Sequence, residues 1–87
     1  KALETLPKQA VLYEKLAVIF HLNNEFEKAG EIYNLGLTEV PENPALLLGR
    51  GLLFIQTGDT ISACRDLKNS AAQGDPDAQN LVQQFCN

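Results

Sequence analysis

Two cysteines, Cys64 and Cys86, are the residues whose type and spacing best suggest covalent chemistry in this chain. Each lies 11 residues from Asp75, one on either side of it. If Asp75 is the turn of an antiparallel helical hairpin, both sulfur atoms lie at the same level, because each helix rises about 1.5 Å per residue. The spacing allows a disulfide, which in the chain-entropy model stabilises a loop of this size by about 3 kcal/mol. It equally allows two reduced cysteines buried as small apolar side chains.

Other reactive side chains lack the partners that catalysis or metal binding needs. His21 is the only histidine, and no Ser or Cys pattern lies near it. Glu14 lies one step away on the same predicted helix. A nucleophile needs an oriented base, and one His with two Cys lacks the spacing of metal ligands. Gly49-Arg50-Gly51 lies inside a helical pattern without the Lys and Ser/Thr of a phosphate loop. We therefore predict a protein that is not an enzyme, without cofactor or metal, in which His21 lines a groove.

Composition and charge exclude some classes of binding partner. The 87 residues make one domain, of which 45% are hydrophobic, and the net charge is -4 with only seven Lys and Arg. Without clustered cations, nucleic acid is not an expected partner. The longest nearly uncharged run, residues 44–59, is shorter than the roughly 20 residues that span a bilayer, so no membrane insertion is predicted. The chain has no signal-peptide pattern and no Met, and we expect a piece of a longer protein.

Apolar residues recur with helical periodicity, and no segment shows the sustained alternation of a strand. A short helical stub at residues 1–6 is expected to end at Pro7. Further helices are predicted over residues 8–23, 25–39, 44–57, 60–73 and 76–86. Asn24 with Glu27 indicates a capping box for the second of these, and Asn43, Asp59 and Asp75 precede the next three as caps. In the helix over 60–73, Ile61 and Ala63 are expected to face inward.

A pattern of large and small residues returns after 34 positions. The first copy is Tyr13, Leu16, Ala17, Phe20, Ala29, Tyr33 and Pro41, and the second is Leu47, Arg50, Gly51, Phe54, Ala63, Leu67 and Asp75. Two antiparallel helices with short turns need roughly 34 residues, and stacked neighbours cover the apolar face that one hairpin leaves open. Arg50 interrupts the apolar seam, so we expect its aliphatic stem along the seam and its charged head exposed.

At these residues the chain resembles the tetratricopeptide repeat (TPR) family over nearly its whole length. The resemblance implies an all-α fold in which antiparallel helix hairpins stack as a short right-handed solenoid with a C-terminal capping helix. The implied division is 1–9 as the end of a preceding repeat, 10–43 as repeat 1, 44–77 as repeat 2 and 78–87 as the capping helix. The chain departs from the family pattern in having no Trp, Arg50 in place of a leucine, and Asp75 in place of the closing proline.

The resemblance also implies a concave face lined by the first helix of each repeat. Carried onto this sequence, that face consists of Val11, Glu14, Val18, His21, Leu22, Ala45, Leu48, Leu52, Ile55, Gln56, Gln79, Val82 and Cys86. It is mostly apolar and lacks the basic residues with which some family members hold a terminal carboxylate. Two hypotheses follow: the face binds an apolar or amphipathic segment of another protein, or a second copy of the chain or upstream repeats cover it.

The C-terminal segment is similar to the closing segment of many bacterial TPR proteins. The residues that carry this likeness are Ala63-Cys64-Arg65-Asp66, Ser70-Ala71, Gly74-Asp75, Ala78 and Cys86. The likeness implies that Asn87 is a natural C-terminus. It also raises the hypothesis of a bacterial envelope location, where disulfides persist. A cytoplasmic location stays open as the alternative.

Overall fold

The computed structural model describes residues 2–86, and their side chains from residue 10 onward. Five α-helices follow one another: α1 (Ala2–Leu22), α2 (Phe26–Glu39), α3 (Pro44–Thr57), α4 (Thr60–Ala72) and α5 (Pro76–Phe85). This described part of the chain contains no strand, so the all-α prediction is confirmed. The prediction for Asn87 lies outside the described residues.

The boundaries of α3, α4 and α5 are set by local hydrogen bonds. The Asn43 side chain accepts from the N–H of Leu46 at 3.1 Å, and Asp59 accepts from that of Ser62 at 3.2 Å. Asp75 caps α5 in the same way, by accepting from two backbone N–H groups of its first turn. These three predicted caps are confirmed, and each satisfies N–H groups that have no partner within the helix.

Two boundary predictions are wrong. α1 is continuous from Ala2 and passes through Pro7, which was expected to end a separate stub. The φ angle of proline fits a helix, so the helix continues with one backbone hydrogen bond missing. Asn24 does not cap α2, whose N-cap is Glu25. It instead adopts a left-handed φ of 64° and follows the end of α1, a position that asparagine tolerates better than most residues.

The packing repeats at the spacing of the sequence pattern. Consecutive helices are in contact with one another, and α1 also contacts α3. Four pairs of positions 34 residues apart are buried in both copies: Ala17 and Gly51, Ala29 and Ala63, Tyr33 and Leu67, and Gly36 and Ser70. A Cβ atom on Gly51 would lie 2.8 Å from the side chain of Leu67, which shows how closely α3 approaches α4. The α1–α2 and α3–α4 hairpins therefore share one packing pattern.

Arg50 does not expose its charged head as expected. Its Nε donates to Oδ2 of Asp66 at 2.7 Å and its Nη2 to Oδ1 at 3.0 Å, while Nη1 donates to Oδ1 of Asn34 at 2.8 Å. Asp66 is buried on α4. Its two carboxylate oxygens accept two parallel hydrogen bonds from the planar guanidinium, which is a bidentate ion pair. Arg50 thus joins α3 to both α2 and α4.

The inward orientation predicted for Ile61 is also wrong, because its side chain is 79% exposed. The buried residues of α4 are Ala63, Asp66, Leu67 and Ser70. Their spacing of three and four residues defines one face of the helix. Ile61 precedes Ala63 by two positions and therefore points away from that face.

Candidate binding surface

Three of the five residues predicted on α1 line an open depression of about 500 Å³. Val11, Glu14 and Val18 contribute to it, together with Lys15 and Ile19. Val11 and Val18 are exposed, whereas Glu14 is half-buried. This part of the surface is apolar and carries one charge of each sign at its border.

Two of the five residues predicted on α3 line a second depression, of about 340 Å³, between α3 and α5. Leu48 and Leu52 form its α3 side, and Asp77, Asn80 and Leu81 form its α5 side. The α5 residues were missed by sequence reasoning, which chose Gln79 and Val82. The rotation of α5 about its axis depends on how the fully buried Ala78 packs, and that contact is not visible in the spacing of α5 alone.

Gln79 and Val82 lie elsewhere on α5. The Gln79 amide donates to the backbone carbonyl of Ala71 at 3.2 Å, so this side chain faces α4. Val82 is half-buried, and its carbonyl accepts from the N–H of Cys86 at 2.8 Å. The structure does not bring either residue into the depression that contains Leu48 and Leu52.

The remaining predicted residues lie toward the C-terminal ends of α1 and α3, apart from Ala45, which is half-buried in the first turn of α3. The His21 ring packs edge-on against Phe26, with the ring centroids 5.6 Å apart. Leu22 is 76% exposed, Ile55 is half-buried and Gln56 is exposed. His21 therefore has a packing role at the α1–α2 corner.

A third depression, of about 350 Å³, lies between α2 and α3 and was not predicted. Phe26 and Phe54 contribute aromatic rings, and Glu27 and Glu31 place carboxylates among its lining residues. The two glutamates follow helical spacing on the polar face of α2, and a polar helix face is ordinarily assigned to solvent. Their proximity to Phe54 depends on how α2 packs against α3, which is a tertiary contact without a local signal in the sequence.

The structure joins Cys64 and Cys86 as a disulfide between α4 and the residue that follows α5. The sulfur atoms are 2.18 Å apart and the Cα atoms 5.6 Å apart, which is an ordinary Cα separation for a disulfide. Both residues are half-buried. The bond therefore holds the last turn of the closing helix against its neighbour.

Tyr33 is the titratable group most affected by its surroundings among the described residues. Burial raises the pKa of Tyr33 to about 12, and the nearby Glu14 carboxylate contributes in the same direction. The phenol lies against α3 so closely that a Cβ on Gly49 would overlap its ring. The neutral form is favoured because a phenolate here would lose its hydration beside a negative charge.

The described residues contain no group of three or more His, Cys, Asp or Glu that could hold a metal ion. None of the helices within residues 2–86 combines the length and apolar character that crossing a bilayer requires. No protein-family model, no curated protein and no solved structure matches this chain.

Proposed function

We propose that this chain is a non-catalytic protein–protein interaction module of the TPR type. It binds an apolar or amphipathic segment of another protein on the face formed by α1 and α3. The observation that carries this proposal is the equal exposure of Val18 and Leu52, each 38% exposed at positions 34 residues apart on helices that contact each other. Apolar side chains repeated on neighbouring helices provide the kind of surface into which an amphipathic segment packs.

The shape and charge of this face support a partner with separated apolar anchors. The depression beside Val11 and Val18 and the one beside Leu48 and Leu52 each have room for an apolar side chain. An amphipathic helix presents such anchors at intervals of three and four residues. Glu14 and Lys15 place one charge of each sign beside the first depression, and Asp77 adds a negative charge beside the second. A partner whose anchor for the second depression has a basic residue beside it therefore fits better than one with an acidic residue there.

The surroundings of the reactive side chains support the non-catalytic part of the proposal. The His21 ring packs on Phe26, and both cysteines are held in a disulfide. General base catalysis needs a base within hydrogen-bond reach of the proton that it removes. The disulfide leaves neither sulfur as a free nucleophile, and the His21 ring packs on an aromatic side chain.

Selection of short random peptides on the folded chain, followed by fluorescence anisotropy of a selected peptide, tests the proposal. The double substitution Leu48→Ser and Leu52→Ser should weaken binding by at least about tenfold, because burying one leucine is worth roughly 1.5–3 kcal/mol. Leu35→Ser is the matched control, since Leu35 is 54% exposed on α2 and outside this face. Circular dichroism should show equal helicity for all variants. Undiminished binding to the double variant would show that the partner uses a different surface.

Self-association through the same face is the second candidate function. Val11, Val18 and Leu52 are all exposed, and another copy of the chain offers an apolar surface of matching extent. Light scattering at two protein concentrations separates the candidates. A mass that stays monomeric at both concentrations removes self-association, whereas a dimer that dissociates in the Leu48→Ser and Leu52→Ser variant supports it.

A further inference from the structure

α1 carries a second apolar stripe that adjoins the proposed binding face and shares only Ile19 with its first depression. It consists of Leu12, Leu16 and Ile19, whose side chains are 66%, 42% and 55% exposed. The intervals of four and three residues place them on one side of the helix. Since each residue turns a helix by about 100°, Val11 and Val18 lie roughly a third of a turn away. The stripe therefore needs an explanation of its own.

The second hairpin contains the same stripe in a covered form. The positions 34 residues after the α1 stripe are Leu46, Arg50 and Leu53 on α3. Leu46 is 0% and Leu53 is 4% exposed. The three residues face α2, the second helix of the preceding hairpin. We call the first helix of each hairpin (α1 and α3) its inner helix and the second (α2 and α4) its outer helix. The repeat thus shows, within one molecule, the same helix face with and without a neighbour.

Small residues on α2 make this covering possible. A Cβ on Gly36 would lie 2.9 Å from Cδ1 of Leu46, and one on Gly30 would lie 3.6 Å from Cδ2 of Leu53. Between them, Asn34 accepts a hydrogen bond from Arg50 at 2.8 Å. The covering helix runs antiparallel to α3, because its residues 36, 34 and 30 meet positions 46, 50 and 53 in that order.

We propose that Leu12, Leu16 and Ile19 form a docking face for the outer helix of another hairpin of this same repeat, joined ahead of α1 in the same polypeptide. The docked helix lies on residues 10–22 of α1 as α2 lies on α3, with small residues at two positions six apart, and its connection to α1 precedes Ala2 because α1 is helical from there. Because Leu16 stands where Arg50 stands in the second hairpin, the residue that meets it is apolar in place of the Asn34 amide. Leu12 and Leu16 do not line the depressions used for the proposed function, and Ile19 borders both surfaces; this proposal does not depend on that function.

The outer helices of this chain are already packed against other helices, which argues against a second copy of the chain as the neighbour of the α1 stripe. Gly36 places α2 against both Tyr13 of α1 and Leu46 of α3. α4 contacts α3 on one side and α5 on the other, and the disulfide fixes α5 there. Both outer helices of the described chain already cover the neighbours that their apolar faces fit. A second copy therefore has no free outer helix to offer.

The test uses a chain extended by one hairpin, in which residues 1–43, carrying Asn34→Leu, are followed directly by residues 10–87. Ala10 occupies the register position of Pro44, so the junction after Asn43 keeps the repeat spacing. The double substitution Leu12→Ser and Ile19→Ser is made in the second copy of α1 in the extended chain, and in the original chain. Urea unfolding then gives the equilibrium constant for folding of each. Leu46→Ser with Leu53→Ser, at the covered equivalent positions, is the control that should weaken folding in both chains.

In the original chain the double substitution should change the folding equilibrium constant by less than about tenfold, because the side chains are largely exposed. In the extended chain it should lower the constant by more than about a hundredfold, since two covered apolar side chains are lost. An equally small effect in both chains would overturn the proposal. So would an added hairpin that leaves helicity per residue lower than in the original chain. A dimer of the original chain that sedimentation shows to be lost in the Leu12→Ser and Ile19→Ser variant would overturn it in favour of a second copy.

Discussion

The pair formed by Arg50 and Asp66 provides the sharpest test of how the helices are held together. Asp66→Ile leaves the guanidinium without its two carboxylate hydrogen bonds. Breaking a buried ion pair costs about 3–5 kcal/mol, but the Arg50 side chain is 25% exposed, so water replaces part of the lost interaction. We therefore expect a loss of about 2–3 kcal/mol from the free energy of unfolding. A domain of this length is stable by roughly 4–13 kcal/mol, so the loss is a large fraction.

The reverse substitution, Arg50→Leu, should cost more. The Asp66 side chain is only 4% exposed, and the substitution leaves its carboxylate buried without a partner. The expected loss is about 3–5 kcal/mol. The double substitution Arg50→Leu and Asp66→Ile copies Leu16 and Ile32, which occupy the same two positions in the first hairpin. It should cost less than either single substitution, because apolar side chains of similar volume replace a buried pair with little loss.

Urea unfolding followed by circular dichroism measures all three variants, at low salt and at 0.5 M salt (about 4 Å of screening length). The cost of Asp66→Ile should change little between the two conditions, since buried charges are weakly screened. Arg65→Ala, on the exposed side of the same helix as Asp66, should change stability by less than about 0.5 kcal/mol. If the two single costs add to within about 0.5 kcal/mol of the double cost, the residues are not coupled and the reasoning is refuted.

Three further predictions concern single sites. Because the pKa of Tyr33 is raised to about 12, its contribution to stability is complete below pH 10 and is lost as the pH rises through 12; Tyr33→Phe should flatten this fall in a pH series of urea unfolding curves. Gly49→Ala should lower stability by about 1–3 kcal/mol because its Cβ would overlap Tyr33, whereas Gly30→Ala should be neutral or stabilising by up to about 1 kcal/mol in the same assay. Reduction of the disulfide between Cys64 and Cys86 should lower stability by about 3 kcal/mol, and two free thiols in the oxidised, denatured chain would contradict that bond.

Local signals in the sequence predict the helices that have distinct caps. Asn43, Asp59 and Asp75 each act within three residues of their own position, so α3, α4 and α5 begin where the sequence indicates. Asn24 shows where such reasoning fails. Asparagine serves both the start of a helix, through its side chain, and the end of one, through a left-handed backbone. Only the competition between neighbouring helices decides which role is used.

The candidate surface was less predictable because its residues depend on contacts between helices. Leu48 and Leu52 could be placed on a shared face from the repeat alone. Their neighbours Asn80 and Leu81 could not, since the rotation of α5 depends on tertiary packing around Ala78. The burial of Asp66 could not be predicted from the sequence for a related reason. A polar residue at helical spacing is ordinarily assigned to the solvent side, and only the presence of Arg50 on the adjacent helix makes it part of the interior.

The two hairpins solve the same packing problem with different chemistry. Where the first has Leu16 and Ile32, the second has Arg50 and Asp66, so the apolar pair and the charged pair occupy equivalent positions. The charged pair is stable only as a unit, because either member alone would be a partly or fully buried charge. It also requires a polar neighbour, which Asn34 supplies from α2. Leu16 has no such requirement and is compatible with an apolar neighbour alone. The difference between Leu16 and Arg50 therefore determines which kind of outer helix each inner helix accepts. It predicts that an added hairpin with Asn34 in its outer helix would fit α1 less well than one with leucine at that position.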